Sequence, residues 1–263
     1  MPNNPMRDEV NTLCYYFDGM RLSKVHMKIP LLALLVLAAA AMPAVAEDVA
    51  QGAATGEGAA EGETPEAGQK PTYEDRRKAI LRDQIERSVE LIEKGQYALA
   101  RTYLDPALID WRLSREHRSR AYYLRGFSFF AEDHYVSALR DYNRAVEFNP
   151  SNPAALAALG HLHLSALGTP RDLKLAVELF QKAANLGHVG AQFQLGYAYL
   201  EGLGIGQDVA AARGWLLDAS EQGNAAAMMH LARSYRTGLA EEPDPDTAEQ
   251  WYRKAYEAGL TDA

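Results

Sequence analysis

The sequence predicts an all-α chain wound as a helix–turn–helix solenoid. The main observation is an internal period. Shifting the C-terminal half by 36 residues brings Leu159, Leu195 and Leu231 into register, with Ala176, Ala212 and Ala248 and with Ala183, Ala219 and Ala255. The same shift superposes Asp172, Asp208 and Asp244, and then Gly187, Gly223 and Gly259. A fixed period of this size marks an array in which each unit buries its neighbour's apolar face. The second observation is capacity: 263 residues, 48% of them hydrophobic and 24% charged, support a sizeable core.

Each recurring residue has a physical task. Aspartate at a helix start accepts hydrogen bonds from backbone N–H groups that have no partner within the helix. Glycine after a helix end takes the left-handed conformation that costs other residues energy. Alanine lets two helices approach closely, while Leu179, Trp215 and Trp251, followed by Phe180, Leu216 and Tyr252, fill the space between pairs. One period accommodates two helices of about 13 residues and two turns.

Residues 1–46 are expected to be an N-terminal extension and signal peptide. Lys28 precedes an apolar run from Ile29 to Ala41, Pro43 breaks it, and Ala44-Val45-Ala46 gives a small-x-small site before Glu47. The run is shorter than the ~20 residues that span a bilayer, so the alternative of an uncleaved anchor is the weaker reading. Met20 or Met27 is the expected true start. Cys14, the single cysteine, would leave with the leader, so neither a disulfide nor a cysteine zinc site is expected. Residues 47–71 hold six acidic residues against Lys70 and no aromatic, which predicts a disordered acidic linker.

Residues 72–152 and 153–263 form the repeat body. In the first part, Tyr122-Tyr123-Leu124-Arg125-Gly126, Phe129-Phe130, Tyr135, Ala138, Tyr142, Ala145 and Asn149-Pro150 resemble a tetratricopeptide repeat. A weaker copy precedes it, from Glu93-Lys94-Gly95 through Tyr97 to Tyr103-Leu104. In the second part, Tyr199-Leu200-Glu201-Gly202-Leu203-Gly204, Asp208, Ala211-Ala212, Trp215-Leu216 and Ala219 to Gly223 resemble a Sel1-like repeat. The next copy supplies Tyr235, Gly238, Asp244, Ala248, Trp251-Tyr252 and Gly259, and an earlier one has His163 where tyrosine is expected. The copies run over about 153–187, 188–223 and 224–259. Both families share a right-handed solenoid, so the resemblance implies one superhelix of about ten helices between residues 73 and 258.

The chemistry-bearing residues are sparse. No GxSxG elbow, phosphate loop, HExxH or dinucleotide fingerprint occurs, and Gly202, Gly204 and Gly206 fall in a turn between helices. His161 and His163, two apart, point in different directions on a helix and cannot share a metal. The cysteine-rich Sel1-like branch named for β-lactam binding carries paired cysteines that are missing here. No catalytic residue, cofactor or metal is therefore expected. A net charge of −8 argues against a nucleic-acid partner. The run Arg112, Arg115, Arg118, Arg120 and Arg125 offers planar forks to carboxylates of a peptide or glycan, or is a solvated edge.

If Leu124 and Gly126 pack inward, the opposite stripe of that helix is Arg120, Tyr123, Phe127 and Phe130. The same phase selects His161 and Leu164, then Phe193, Tyr197 and Leu200, then Met229, Arg233 and Arg236. In the resembled families this stripe lines the concave face and takes a partner's peptide or helix. The expected function is a non-catalytic, periplasmic scaffold that binds a protein or peptide segment there. The alternative class is a cell-envelope enzyme or peptidoglycan-binding protein. Once processed, the chain is not expected to be stably inserted in a membrane. Tyr256 stands where Ala184 and Ser220 stand in earlier copies; it either covers the last hairpin or makes a weak contact to a second copy. Processing should leave Glu47 as the first residue, which intact-mass measurement on secreted material would read directly. Retention of residues 27–46 would identify an anchor instead.

Overall fold

The computed structural model describes residues 71–238 and 242–259. The expected leader, the acidic segment as far as Lys70, and Leu260 lie outside the described residues. Within them the chain forms ten helices and no strand. They are α1 (Tyr73–Glu93), α2 (Tyr97–Ile109), α3 (Arg115–Phe130), α4 (Tyr135–Phe148) and α5 (Pro153–Leu164). Then follow α6 (Leu173–Asn185), α7 (Val189–Glu201), α8 (Val209–Glu221), α9 (Ala225–Thr237) and α10 (Pro245–Glu257). Consecutive helices pair as hairpins, and each hairpin packs on the next; α1 also touches α3. The expected all-α solenoid is the observed architecture.

Eight of the ten helix starts carry a side-chain cap, the exceptions being α2 and α4. Asp172, Asp208 and Asp244 cap α6, α8 and α10 by accepting the N–H of Leu175, Ala211 and Thr247. Asn152 and Asn224 do the same for α5 and α9, and His188 Nδ1 accepts the Ala191 N–H at the start of α7. Thr72 and Asp75 close a reciprocal capping box on α1. At the other ends, Gly187, Gly223 and Gly259 adopt φ of 81°, 87° and 102°, the left-handed stops read from the sequence. Gly204 is left-handed too, with φ of 70°. A Cβ there would lie 2.4 Å from the Leu173 carbonyl oxygen, so the α7–α8 turn docks on the start of α6.

The hairpins close on small residues. A Cβ on Gly126 would meet the Tyr142 ring at 2.8 Å, one on Gly160 the Phe180 ring at 2.8 Å, and one on Gly196 the Leu216 side chain at 2.9 Å. Ala232 is the fully buried counterpart in the last hairpin. On the second helices, Ala100, Ala138, Ala176 and Ala212 are fully buried and Ala248 nearly so. Ala107, Ala145, Ala183, Ala219 and Ala255 form a second row, all without exposure. Close backbone approach replaces bulk at these points, and the rings and leucines beside them supply the apolar burial.

The first two hairpins add ionic links. Arg125 holds the buried Asp141 through two bonds, Nε to Oδ2 at 2.6 Å and Nη2 to Oδ1 at 2.9 Å, and reaches Asp105 at 2.8 Å. Burial opposes the Arg125 charge, but the bonds to Asp141 and Asp105 outweigh it and hold its pKa above the usual value. This bridge joins α2, α3 and α4.

The seam and the caps should differ in cost. Ala219→Leu adds three heavy atoms at a fully buried seam, which should cost about 1–3 kcal/mol through overpacking. Asp208→Ala removes one capping bond, at about 1 kcal/mol. Urea unfolding of the two variants checks the ranking, and the reverse order would contradict the seam.

Candidate functional site

The first helix of each hairpin positions the stripe read from the sequence, and the structure divides that stripe into two parts. On α3, Tyr123 lies against Tyr142 with centroids 5.8 Å apart, and burial pushes its phenol up to about 12. Phe127 meets Tyr97 of α2 edge-on at 6.4 Å. Phe130 meets both Tyr135 of α4 and His161 of α5, at 5.6 and 5.8 Å. These rings are inter-helix packing as much as surface. Arg120 is exposed, yet its fork grips Glu86 of α1 at 2.5 and 3.0 Å.

The second part spans α7 and α9. Leu195 and Gly196 face the hairpin seam, which turns Phe193 and Tyr197, four residues apart, toward the next first helix. There His230 fits between them, 5.7 Å from Phe193 and 5.2 Å from Tyr197. Burial pushes the His230 imidazole down to about 4, and the Arg233 charge pushes the same way. Beside this cluster α9 exposes Met229, Arg233 and Arg236. Arg236 lies 5.5 Å from the Tyr252 ring, and neither arginine forms an ion pair with a described residue. Rings, a thioether and two exposed guanidinium groups make a surface suited to an apolar anchor and an anionic neighbour. Proton transfer is a poor fit, because burial holds both His161 and His230 neutral near pH 7.

The arginines between Arg112 and Arg125 are bonded within the repeat body, with Arg115 and Arg120 still exposed at its edge. Arg112 pairs with Asp110, Arg115 reaches the Glu147 carbonyl at 3.3 Å, and Arg118 reaches the Asp110 carbonyl at 2.9 Å and lies over Phe148. Sequence could not reveal partners such as Asp141, Glu147 and Glu86, which lie 16 to 34 residues away. The place of His230 between Phe193 and Tyr197 likewise depends on how successive helices stack.

The buried histidines set a pH dependence. In the unfolded chain a histidine protonates near 6.5, whereas His161 stays neutral until about 4 when folded. The unfolded state therefore binds more protons in that window, and stability falls as pH drops from 6.5 toward 4, by up to about 3 kcal/mol for His161. His161→Phe should flatten the decline in urea midpoint between those limits. An unchanged pH slope would contradict the burial of this ring.

Comparison with known proteins supports the geometry. The Sel1 repeat family matches residues 153–188, 189–224 and 225–260. A comparison with curated proteins gives no match. Among solved structures, a Sel1 repeat protein from Oxalobacter formigenes is 31% identical, covering 52% of this chain and 56% of its own, with a TM-score of 0.49. A protective antigen of uropathogenic Escherichia coli strains with an SLR fold is 26% identical, covering 70% of this chain and 39% of its own, with a TM-score of 0.57. The tetratricopeptide-repeat protein YrrB, described as having an unusual peptide-binding site, is 24% identical, covering 67% of this chain and 84% of its own, with a TM-score of 0.44. This chain thus spans little over half of the first of these proteins and two-fifths of the second. With aspartate caps, glycine stops and alanine seams recurring in one register, residues 153–260 match three consecutive Sel1 repeats.

Proposed function

We propose that the protein is an exported, non-catalytic scaffold that docks a protein or peptide segment on the face of its first helices, centred on α7 and α9. The observation that carries this reading is the Phe193–Tyr197–His230 cluster, with Met229, Arg233 and Arg236 exposed beside it. Helical-repeat solenoids commonly serve protein–protein interaction, and their stacked helices present preformed surfaces that lose little freedom on binding. Aromatic side chains and arginine are the residues that most often dominate such contacts. The exposed guanidinium groups of Arg233 and Arg236 select a segment with an acidic side chain or terminal carboxylate next to an apolar anchor. The leader-like segment before Glu47 supports export to the periplasm.

The Arg120 and α3 end of the stripe contributes less to this reading, because its charge is satisfied by Glu86 and its rings by neighbouring helices. Affinity capture from an envelope extract tests the proposal with three baits: the native chain, Phe193→Ala/Tyr197→Ala, and Arg233→Glu/Arg236→Glu. A partner specific to the native bait should bind each variant about tenfold or more weakly. Equal capture by all three would refute this face as the docking surface.

A further inference from the structure

The connection between α2 and α3 departs from its counterparts. Counted from the buried alanine row, Ile109 occupies the position of Glu147, Asn185, Glu221 and Glu257, and Trp111 that of Asn149, Gly187, Gly223 and Gly259. Every other copy keeps these positions polar or glycine. Here they hold two large apolar side chains, 84% and 70% exposed, and Tyr73 at the start of α1 is 72% exposed. The three belong to one corner: the Arg112 guanidinium carbon lies 4.6 Å from the Trp111 ring centre and 5.9 Å from that of Tyr73.

The corner is rigid. Asp110 accepts bonds from Arg77 Nε at 2.8 Å and from the Arg112 N–H at 3.0 Å, and its own carbonyl takes Arg118 at 2.9 Å. Leu113 is buried beneath it. The exposure of Ile109 and Trp111 is therefore imposed by a fixed loop.

We infer that this corner is a peripheral contact to an anionic lipid surface, with Ile109 and Trp111 entering the headgroup boundary. Three observations favour lipid over a protein partner. Tryptophan and tyrosine each join an apolar body to a polar tip, the combination suited to the interface between acyl chains and water. The apolar side chains stand on a projecting turn that a deformable lipid layer accommodates, whereas a protein partner would have to supply a matching hollow. The charge is complementary as well. In a chain of net charge −8, the segments 72–83 and 109–118 that build the corner carry seven basic residues against five acidic ones, a net positive excess of two that remains after Arg77 and Arg112 pair with Asp110. Among the described residues no helix can cross a membrane, so the contact is superficial.

Tryptophan fluorescence of the full chain tests this. The vesicles are phosphatidylcholine mixed with phosphatidylglycerol, with brominated acyl chains as the quencher. The apolar run Ile29–Ala41 holds no tryptophan, and Trp215 and Trp251 are half-buried in later repeats. Quenching should therefore occur in the native chain and be abolished in Trp111→Phe, which keeps the ring but removes the probe. Ile109→Glu, the residue type of later copies, should weaken both quenching and co-sedimentation with vesicles about tenfold. Phosphatidylcholine alone should quench weakly. The inference falls if bromine leaves Trp111 emission unchanged, if Ile109→Glu quenches like the native chain, or if phosphatidylcholine alone quenches as strongly. It also falls if Trp111 emission shifts to the blue with protein concentration in the absence of vesicles, which would make a second copy the occupant.

Discussion

The structure depends on the close approach of two helices within each hairpin. Gly126, Gly160 and Gly196 leave no room for even a methyl group against Tyr142, Phe180 and Leu216. Two alanine rows on the second helices continue the contact. A short distance inside the hairpin brings the large side chains between hairpins into register, because a wider pair would push them out of reach of the next unit. The repeats therefore spend small residues to fix geometry and large ones to gain burial, and neither set can replace the other.

Two kinds of reinforcement act on that seam. In the first two hairpins it is ionic: Arg125 ties α2, α3 and α4 together, Arg120 ties α3 to α1, and Arg101 bonds Glu132 at 2.6 Å. In the later hairpins it is geometric, with aspartate caps and glycine stops at fixed positions and turns such as that at Gly204 docking on the preceding hairpin. Ion pairs engage Arg120 and Arg125 of α3, and backbone carbonyls take Arg115 and Arg118. For that reason the proposed docking surface centres on α7 and α9.

The repeat body was legible in the sequence because its constraints are local and periodic. Asp208 caps the helix that follows it, Gly223 ends the helix before it, and Ala219 recurs every 36 residues, so each signal sits next to its effect. The site was less legible. Leu195 and Gly196 fixed the phase of α7, which correctly aimed Phe193 and Tyr197 at one face. Whether a residue on that face is free depends on partners many positions away: Glu86 for Arg120, Tyr142 for Tyr123, Tyr97 for Phe127. Trp111 went unnoticed because a single departure from a repeat register is visible only once the register extends through the weaker first copy.

The distribution of charge gives the proposed docking face a sense of position. Residues 151–263 carry 8 basic and 13 acidic residues, so an anionic segment is repelled along most of that half. Arg233 and Arg236 stand exposed within it, next to the ring cluster that bridges α7 and α9. Attraction at one point and repulsion around it discriminate more sharply than a uniformly basic groove, since a misplaced acidic group loses the guanidinium contact and meets like charge as well. The neutrality of His230 sharpens the discrimination further. Burial keeps the imidazole uncharged beside Arg233, so the positive potential is confined to the two exposed arginines while the rings remain an apolar seat. An apolar anchor and an adjacent carboxylate can then satisfy both parts only in one register.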